Sequence, residues 1–228
     1  MGKCVLGIGG ARLAIEAPEE VIAALRPRYG PFFVDGAADA RVEVTAAPGF
    51  VADLALDRKR DLGGMQPGRV EQARDLGEVD AGIRLTLSLL LPAQGALLLH
   101  ASAITRGFVF AGASGAGKST AAAALGPALA DELVVVRGAD VYGTPYWNGR
   151  PEQVAIEQIV ILERGEAAGT LLSGSRAVAA LSPHVVRYRP DADAAILDLL
   201  ARLAVPVVRA VCPTGDAFLP ALRAILKI

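Results

Sequence analysis

Gly112, Gly117, Lys118 and Ser119 stand at the spacing G-x-x-x-x-G-K-S, and the residues between the glycines, Ala113, Ser114, Gly115 and Ala116, are all small. Small residues let consecutive backbone N–H groups turn inward as an anion-binding nest, and a helix starting near Lys118 adds its positive dipole end. Such a phosphate-binding loop holds two or three phosphates. Lys118 reaches the β- and γ-phosphates as a point charge, and the Ser119 hydroxyl takes one Mg²⁺ coordination site. Residues 112–120, closing with Thr120, are therefore the candidate nucleotide site, with ATP or GTP and Mg²⁺ as the expected cofactors.

Two acids, Asp131 and Glu132, follow between the apolar runs Ala128-Leu129-Ala130 and Leu133-Val134-Val135-Val136. Carboxylates placed between strands soon after a phosphate loop can hold Mg²⁺ and orient a nucleophile. His100 lies on an apolar run just upstream of the loop. His184, in Ser182-Pro183-His184, has no comparable company and reads as structural.

The motif needs a strand before it and a helix after it. Phe108-Val109-Phe110-Ala111 supplies the strand, and the alanine-rich run after Ser119 supplies a short helix ended by Gly126-Pro127. Residues 96–104 read as a buried strand that turns at Arg106-Gly107 into the loop strand. Val79, Ile83, Leu87, Leu90 and Leu91 recur at helical spacing until Pro92, which predicts an amphipathic helix linking two parts of the chain.

Upstream of that helix, residues 4–8 and 12–15 flank Gly9-Gly10 as a hairpin, and a helix from Ala17-Pro18 is expected to end at Arg26-Pro27. Residues 41–45 alternate strictly, residues 51–56 and 69–73 are weaker strands, and residues 57–68 read as an exposed turn. Residues 1–78 are thus expected to form a β-rich N-terminal lobe with one helix, and residues 79–228 the phosphate-binding core. Downstream, residues 143–150 form a loop with the one tryptophan, either an active-site lid or an ordinary surface loop with one anchoring aromatic. A strand is expected at 156–162, a turn at Arg164-Gly165, helices at 173–181 and 191–203, a strand at 206–211 and a helix at 217–226.

The 228 residues suffice for one large α/β domain or a phosphate-binding core with a smaller appendage, and 53% hydrophobic with 5% aromatic residues implies a core of Ala, Val, Leu and Ile. A formal net charge of −1 with scattered basic residues gives no surface for nucleic acid or an anionic membrane. Cys4 and Cys212 lack metal-ligand spacing and fit a reducing cytoplasm. No export signal or membrane span is visible.

The chain resembles the HPr kinase/phosphorylase-like P-loop proteins, a group related in fold to phosphoenolpyruvate carboxykinase. The likeness rests on His100-Ala101-Ser102 before the loop strand, on residues 112–119 and on Asp131-Glu132. Residues 25–33, Gly143-Thr144-Pro145-Tyr146-Trp147 and Val205-Pro206-Val207 are similar too. The resemblance implies a P-loop NTPase core of this type, with the activity of an ATP-dependent kinase acting on a hydroxyl of a protein, peptide or small molecule. It also implies that Asp131 is base or orienter, that Lys118 binds phosphates with His100 nearby, that Ser119 and Glu132 hold the metal, and that homo-oligomers form.

The second acid of the family is usually Asp, the segment from Lys118 to Asp131 is shorter than in the HPr enzymes, and their glycine-rich signature is matched only in part by Leu162-Glu163-Arg164-Gly165. A nucleotide-binding sensor or assembly protein without efficient transfer is the alternative. The GTPase signature Asn-Lys-x-Asp is absent, and the chain is short for a carboxykinase.

Overall fold

A computed structural model of the chain describes residues 1–52, 66–147, 149–188 and 193–228. Its architecture is mixed α/β, with two sheets. The N-terminal sheet has four strands in the order β1 (Gly2–Ile8), β2 (Ala11–Ala17), β3 (Ala40–Val51), β4 (Arg69–Asp75). β1 and β2 form the expected antiparallel hairpin; β3 and β4 add in parallel. β3 is longer than the alternation at 41–45 predicts. Of the weaker strand at 51–56 only Val51 joins a strand, and residues 53–56 lie outside the described residues, as do 57–65 of the expected turn.

Two helices cover this sheet, α1 (Glu19–Tyr29) and α2 (Leu76–Ala93). Both run through a proline expected to stop them, Pro27 and Pro92, each in the last turn. Ending α1 at Arg26 would forgo the burial of Tyr29, which is fully enclosed and donates its hydroxyl proton to Asp80 on α2. That gain competes with the ~3 kcal/mol a helical proline costs. Asp75 caps α2, its side chain accepting from the Glu78 N–H at 3.1 Å.

Among the described residues the second sheet has nine strands. β5 (Leu97–Ile104), β6 (Phe108–Gly112), β11 (Gln158–Arg164) and β13 (Val207–Cys212) run side by side through its middle, and β12 (Ala168–Leu172) closes one edge. On the other flank lie β8 (Leu133–Arg137), β9 (Asp140–Tyr142) and β10 (Gln153–Ala155), while β7 (Ala128–Ala130) also pairs with β5. β6, β11 and β13 are parallel; β5 is antiparallel to β6, β7 and β8. β9, β10 and β12 were not expected from the sequence.

Among the described residues four further α-helices are α3 (Lys118–Leu125), α4 (Ser175–Leu181), α5 (Asp193–Ala201) and α6 (Phe218–Leu226). Asp191, expected to start α5, lies outside the described residues. α3 and α6 share a buried cluster with β6, β11 and β13 that contains Phe110, Leu162, Phe218 and Leu222. A different cluster runs from the N-terminal sheet through α2 to Leu98, Leu133, Val135 and Tyr146. α2 begins at Leu76, so the expected boundary at 78 falls in its first turn.

Candidate functional site

Residues 112–117 connect the C-terminal end of β6 to α3, in the strand–turn–helix order expected. Gly117 has φ +106°, and a Cβ built there would lie 2.7 Å from Cζ of Phe218 on α6. A Cβ on Gly112 would lie 2.6 Å from the Leu162 carbonyl oxygen of β11. Glycine at both positions is therefore a demand of the packing beneath the loop as well as of its turn. Lys118 is buried; its Nζ donates to the carbonyls of Gly112 at 3.0 Å and Ala113 at 3.2 Å. Burial lowers the Lys118 pKa below its usual value, against the pull of Asp131.

Asp131 and Glu132 form a two-residue break between β7 and β8, both of which pair with β5, and the Ala101 N–H bridges the break by donating to the Glu132 carbonyl at 3.1 Å. An interruption of this kind re-aims side chains at a sheet's edge. Asp131 Oδ1 accepts from Ser119 Oγ at 3.0 Å, from the Glu132 N–H at 3.0 Å, and from the Oγ of fully buried Ser102. The hydroxyl at the end of the glycine-rich turn and the first acid, 12 residues apart, are thus in direct contact.

Glu132 points elsewhere. Its carboxylate receives Arg84 from α2, Nη1 to Oε1 at 2.7 Å and Nη2 to Oε2 at 3.4 Å. Arg84 Nε lies 2.8 Å from Asp80 Oδ2, and its guanidinium lies 4.3 Å from the centre of the Tyr146 ring. Arg28 approaches the same ring at 5.2 Å and donates to the Pro145 carbonyl at 2.7 Å. The loop bearing Trp147 is further pinned by Thr144, whose hydroxyl donates to the Leu133 carbonyl at 2.6 Å. Asn148 of that loop lies outside the described residues.

These groups enclose a cleft of about 600 Å³. Ser114, Gly115, Gly117, Lys118, Ser119 and Thr120 line one side, and His100, Asp131, Glu132, Trp147 and Arg164 the rest. Arg164, at the end of β11, donates to the Gly115 carbonyl at 2.8 Å. His100 lines the cleft, its residue open to solvent on one side and its ring partly covered on the other. Burial of its ring, then the Lys118 ammonium, hold its pKa below the ordinary 6.5, against Glu132 and Asp131. His184 is brought close by a strand bridge between Leu99 and Val185, and its pKa is lowered by burial, Lys118 and His100.

Every expected site residue except Ala113 and the buried Gly112 and Ala116 lines this cleft, and those three lie within the loop itself. Sequence reasoning gave no role to Ser102, Arg84 or Arg164, and weighed the Trp147 loop as a lid or an ordinary surface loop. Ser102 had one usable signal, its place two residues after His100, which puts both on the same face of β5. Arg84 had none, because its partner lies 48 residues away.

No protein-family model matches the chain, and no curated protein matches its sequence. The functional reading therefore stands on the site. Among the described residues no helix is long and apolar enough to cross a membrane.

Proposed function

We propose that the chain is an ATP-dependent kinase, with a P-loop core of the HPr kinase-like type, that transfers the γ-phosphoryl group to a hydroxyl of a protein, peptide or small molecule. The observation that carries this reading is the contact between Ser119 and Asp131 at the mouth of a glycine-rich turn whose lysine is buried beneath it. A turn with this spacing cradles phosphates with backbone N–H groups, and the cleft volume falls within the usual range for a ligand of nucleotide size.

Mg²⁺ fits the same pair. Hydroxyl and carboxylate oxygens are the hard donors it takes, and among the described residues no group of three or more His, Cys, Asp or Glu gathers around a metal position. Ser119 and Asp131 would supply part of the shell, as is usual for this ion beside nucleotide phosphates. When bound, Mg²⁺ neutralises charge on the β- and γ-phosphates. Lys118 adds a second positive charge, and Asp131, one oxygen fixed by three donors, presents the carboxylate to the acceptor. Transfer breaks the bond from the γ-phosphorus to the β–γ bridging oxygen, forms one to the acceptor oxygen and passes the hydroxyl proton to Asp131. His100 lines the same cleft, beside the position of the phosphates.

Lys118→Ala is expected to lower turnover of Mg·ATP by about 10²–10³-fold. Asp131→Asn is expected to keep nucleotide binding, measured by calorimetry at saturating Mg²⁺ and with a raised Mg²⁺ requirement, while losing transfer. Normal phosphorylation of an acceptor by Asp131→Asn would remove the role assigned to that residue. Tight Mg·ATP binding with no turnover against serine peptides and small alcohols would favour the sensor instead.

A further inference from the structure

Glu132 holds φ at +80°, a left-handed conformation that a residue with a Cβ adopts only when its surroundings impose it. Three contacts impose it here. The Arg84 fork meets its carboxylate, the Ala101 N–H meets its carbonyl, and its own N–H donates to Asp131 Oδ1. The last contact ties the backbone at 132 to the carboxylate that meets Ser119. Arg84 is in turn fixed by Asp80 and by the face of Tyr146. A carboxylate engaged by both terminal nitrogens of a guanidinium has its charge compensated and its lone pairs directed toward that partner.

We propose that Glu132 is a positioning residue and not a metal ligand: Arg84, by gripping its carboxylate, holds the backbone at 132 so that the Glu132 N–H aims Asp131 at the Ser119 hydroxyl. The kinetic consequences rest on the phosphoryl-transfer reading of the cleft; the conformational ones do not. The position makes two separable demands, a left-handed backbone and a carboxylate that enforces it. Glycine meets the first without the second, and alanine meets neither. A metal ligand makes no such distinction, since glycine and alanine both lack the oxygens.

The test compares Glu132→Gly, Glu132→Ala and Ser119→Ala with the wild-type chain in Mg²⁺ titrations of ATP binding by calorimetry, in thermal unfolding and in turnover. Glu132→Gly is expected to keep the wild-type Mg²⁺ dependence of ATP binding and Glu132→Ala to shift it only partway, through a misaligned Asp131, whereas Ser119→Ala needs more Mg²⁺. Glu132→Ala is expected to lose about tenfold in turnover and Glu132→Gly about threefold or less, since a small misalignment of a reacting group is costly. Glu132→Gly is also expected to melt above Glu132→Ala, the reverse of the usual order for these residues. Arg84→Ala, made in the Glu132→Gly background, should lower turnover by less than in the wild type.

A Mg²⁺ dependence shifted equally in both Glu132 variants, to the level of Ser119→Ala, overturns the proposal, and so does equal loss of turnover in the two. If the wild-type chain binds Mg·ATP and transfers phosphate to nothing, the kinase reading falls. The melting order and the Mg²⁺ titrations then decide the role of Glu132 alone, with Glu132→Ala melting at or above Glu132→Gly counting against it.

Discussion

His100 and His184 are the only histidines, and both rings are held below the ordinary pKa by burial first and by the Lys118 ammonium second. Around His100 stand Lys118, Arg84, Glu132 and Asp131; around His184, Lys118 and His100. A depressed histidine pKa means that the unfolded chain takes up the proton first as pH falls. Stability from these two residues is therefore complete above the unfolded value of 6.5 and drains away as pH drops through the lower folded values. The melting temperature is expected to fall between pH 7 and 5, and His100→Gln and His184→Gln should each flatten that fall. Parallel curves for the wild-type chain and both variants would show that the loss comes from carboxylates alone.

At the scale of elements, what was legible in the sequence is what short-range pattern determines. β6, the glycine-rich turn and α3 form one continuous segment, and the runs flanking Asp131-Glu132 are apolar enough to read as β7 and β8. The ends of α1 and α2 were not legible, because local proline chemistry is outweighed there by the burial of Tyr29 and by last-turn packing. Edge strand β12 is mostly exposed and lacks an alternating pattern, so its pairing with β13 had no signal in its own residues. The support beneath the turn was equally hidden, since Phe218 on α6 meets Gly117 from about a hundred residues away. That contact is testable. Gly117→Ala suffers both a left-handed φ and a clash, whereas Gly117→Ala with Phe218→Ala keeps only the first. The single variant should bind Mg·ATP at least about tenfold more weakly, an energy of roughly 1.4 kcal/mol. The double variant should recover part of that affinity, although Phe218→Ala alone costs about 3 kcal/mol or more of stability as a core truncation. No recovery would mean that the backbone conformation, and not the room above Phe218, dictates glycine.

Across the whole molecule, the helices over the N-terminal sheet reach the acid pair through buried charge. Tyr29 and Arg28 on α1 meet Asp80 on α2; Asp80 meets Arg84; Arg84 meets Glu132. Two guanidinium groups and two carboxylates balance, with Tyr146 between the cations. The Asp80 side chain is 7% exposed, against 12% for Arg28 and 16% for Arg84, so water compensates little if the balance is broken. The exposed pair Arg209–Glu163, at 51% and 41%, has a shorter contact of 2.6 Å and better geometry, yet remains screened by solvent. Distance alone would rank the surface pair first; desolvation reverses the order. Removing one partner of a buried pair typically costs about 3–5 kcal/mol, whereas an exposed pair contributes about 0–1 kcal/mol. Asp80→Asn should accordingly lower the stability measured by urea unfolding by about 3 kcal/mol, and Glu163→Gln by less than about 1 kcal/mol. Because the same chain of contacts ends on Glu132, Asp80→Asn should also lower turnover of Mg·ATP at temperatures where the protein stays folded. Equal urea midpoints for the two variants would mean that the network stores no more than a surface ion pair. A stability loss without any change in turnover would mean that it holds the N-terminal helices in place and stops short of the acids.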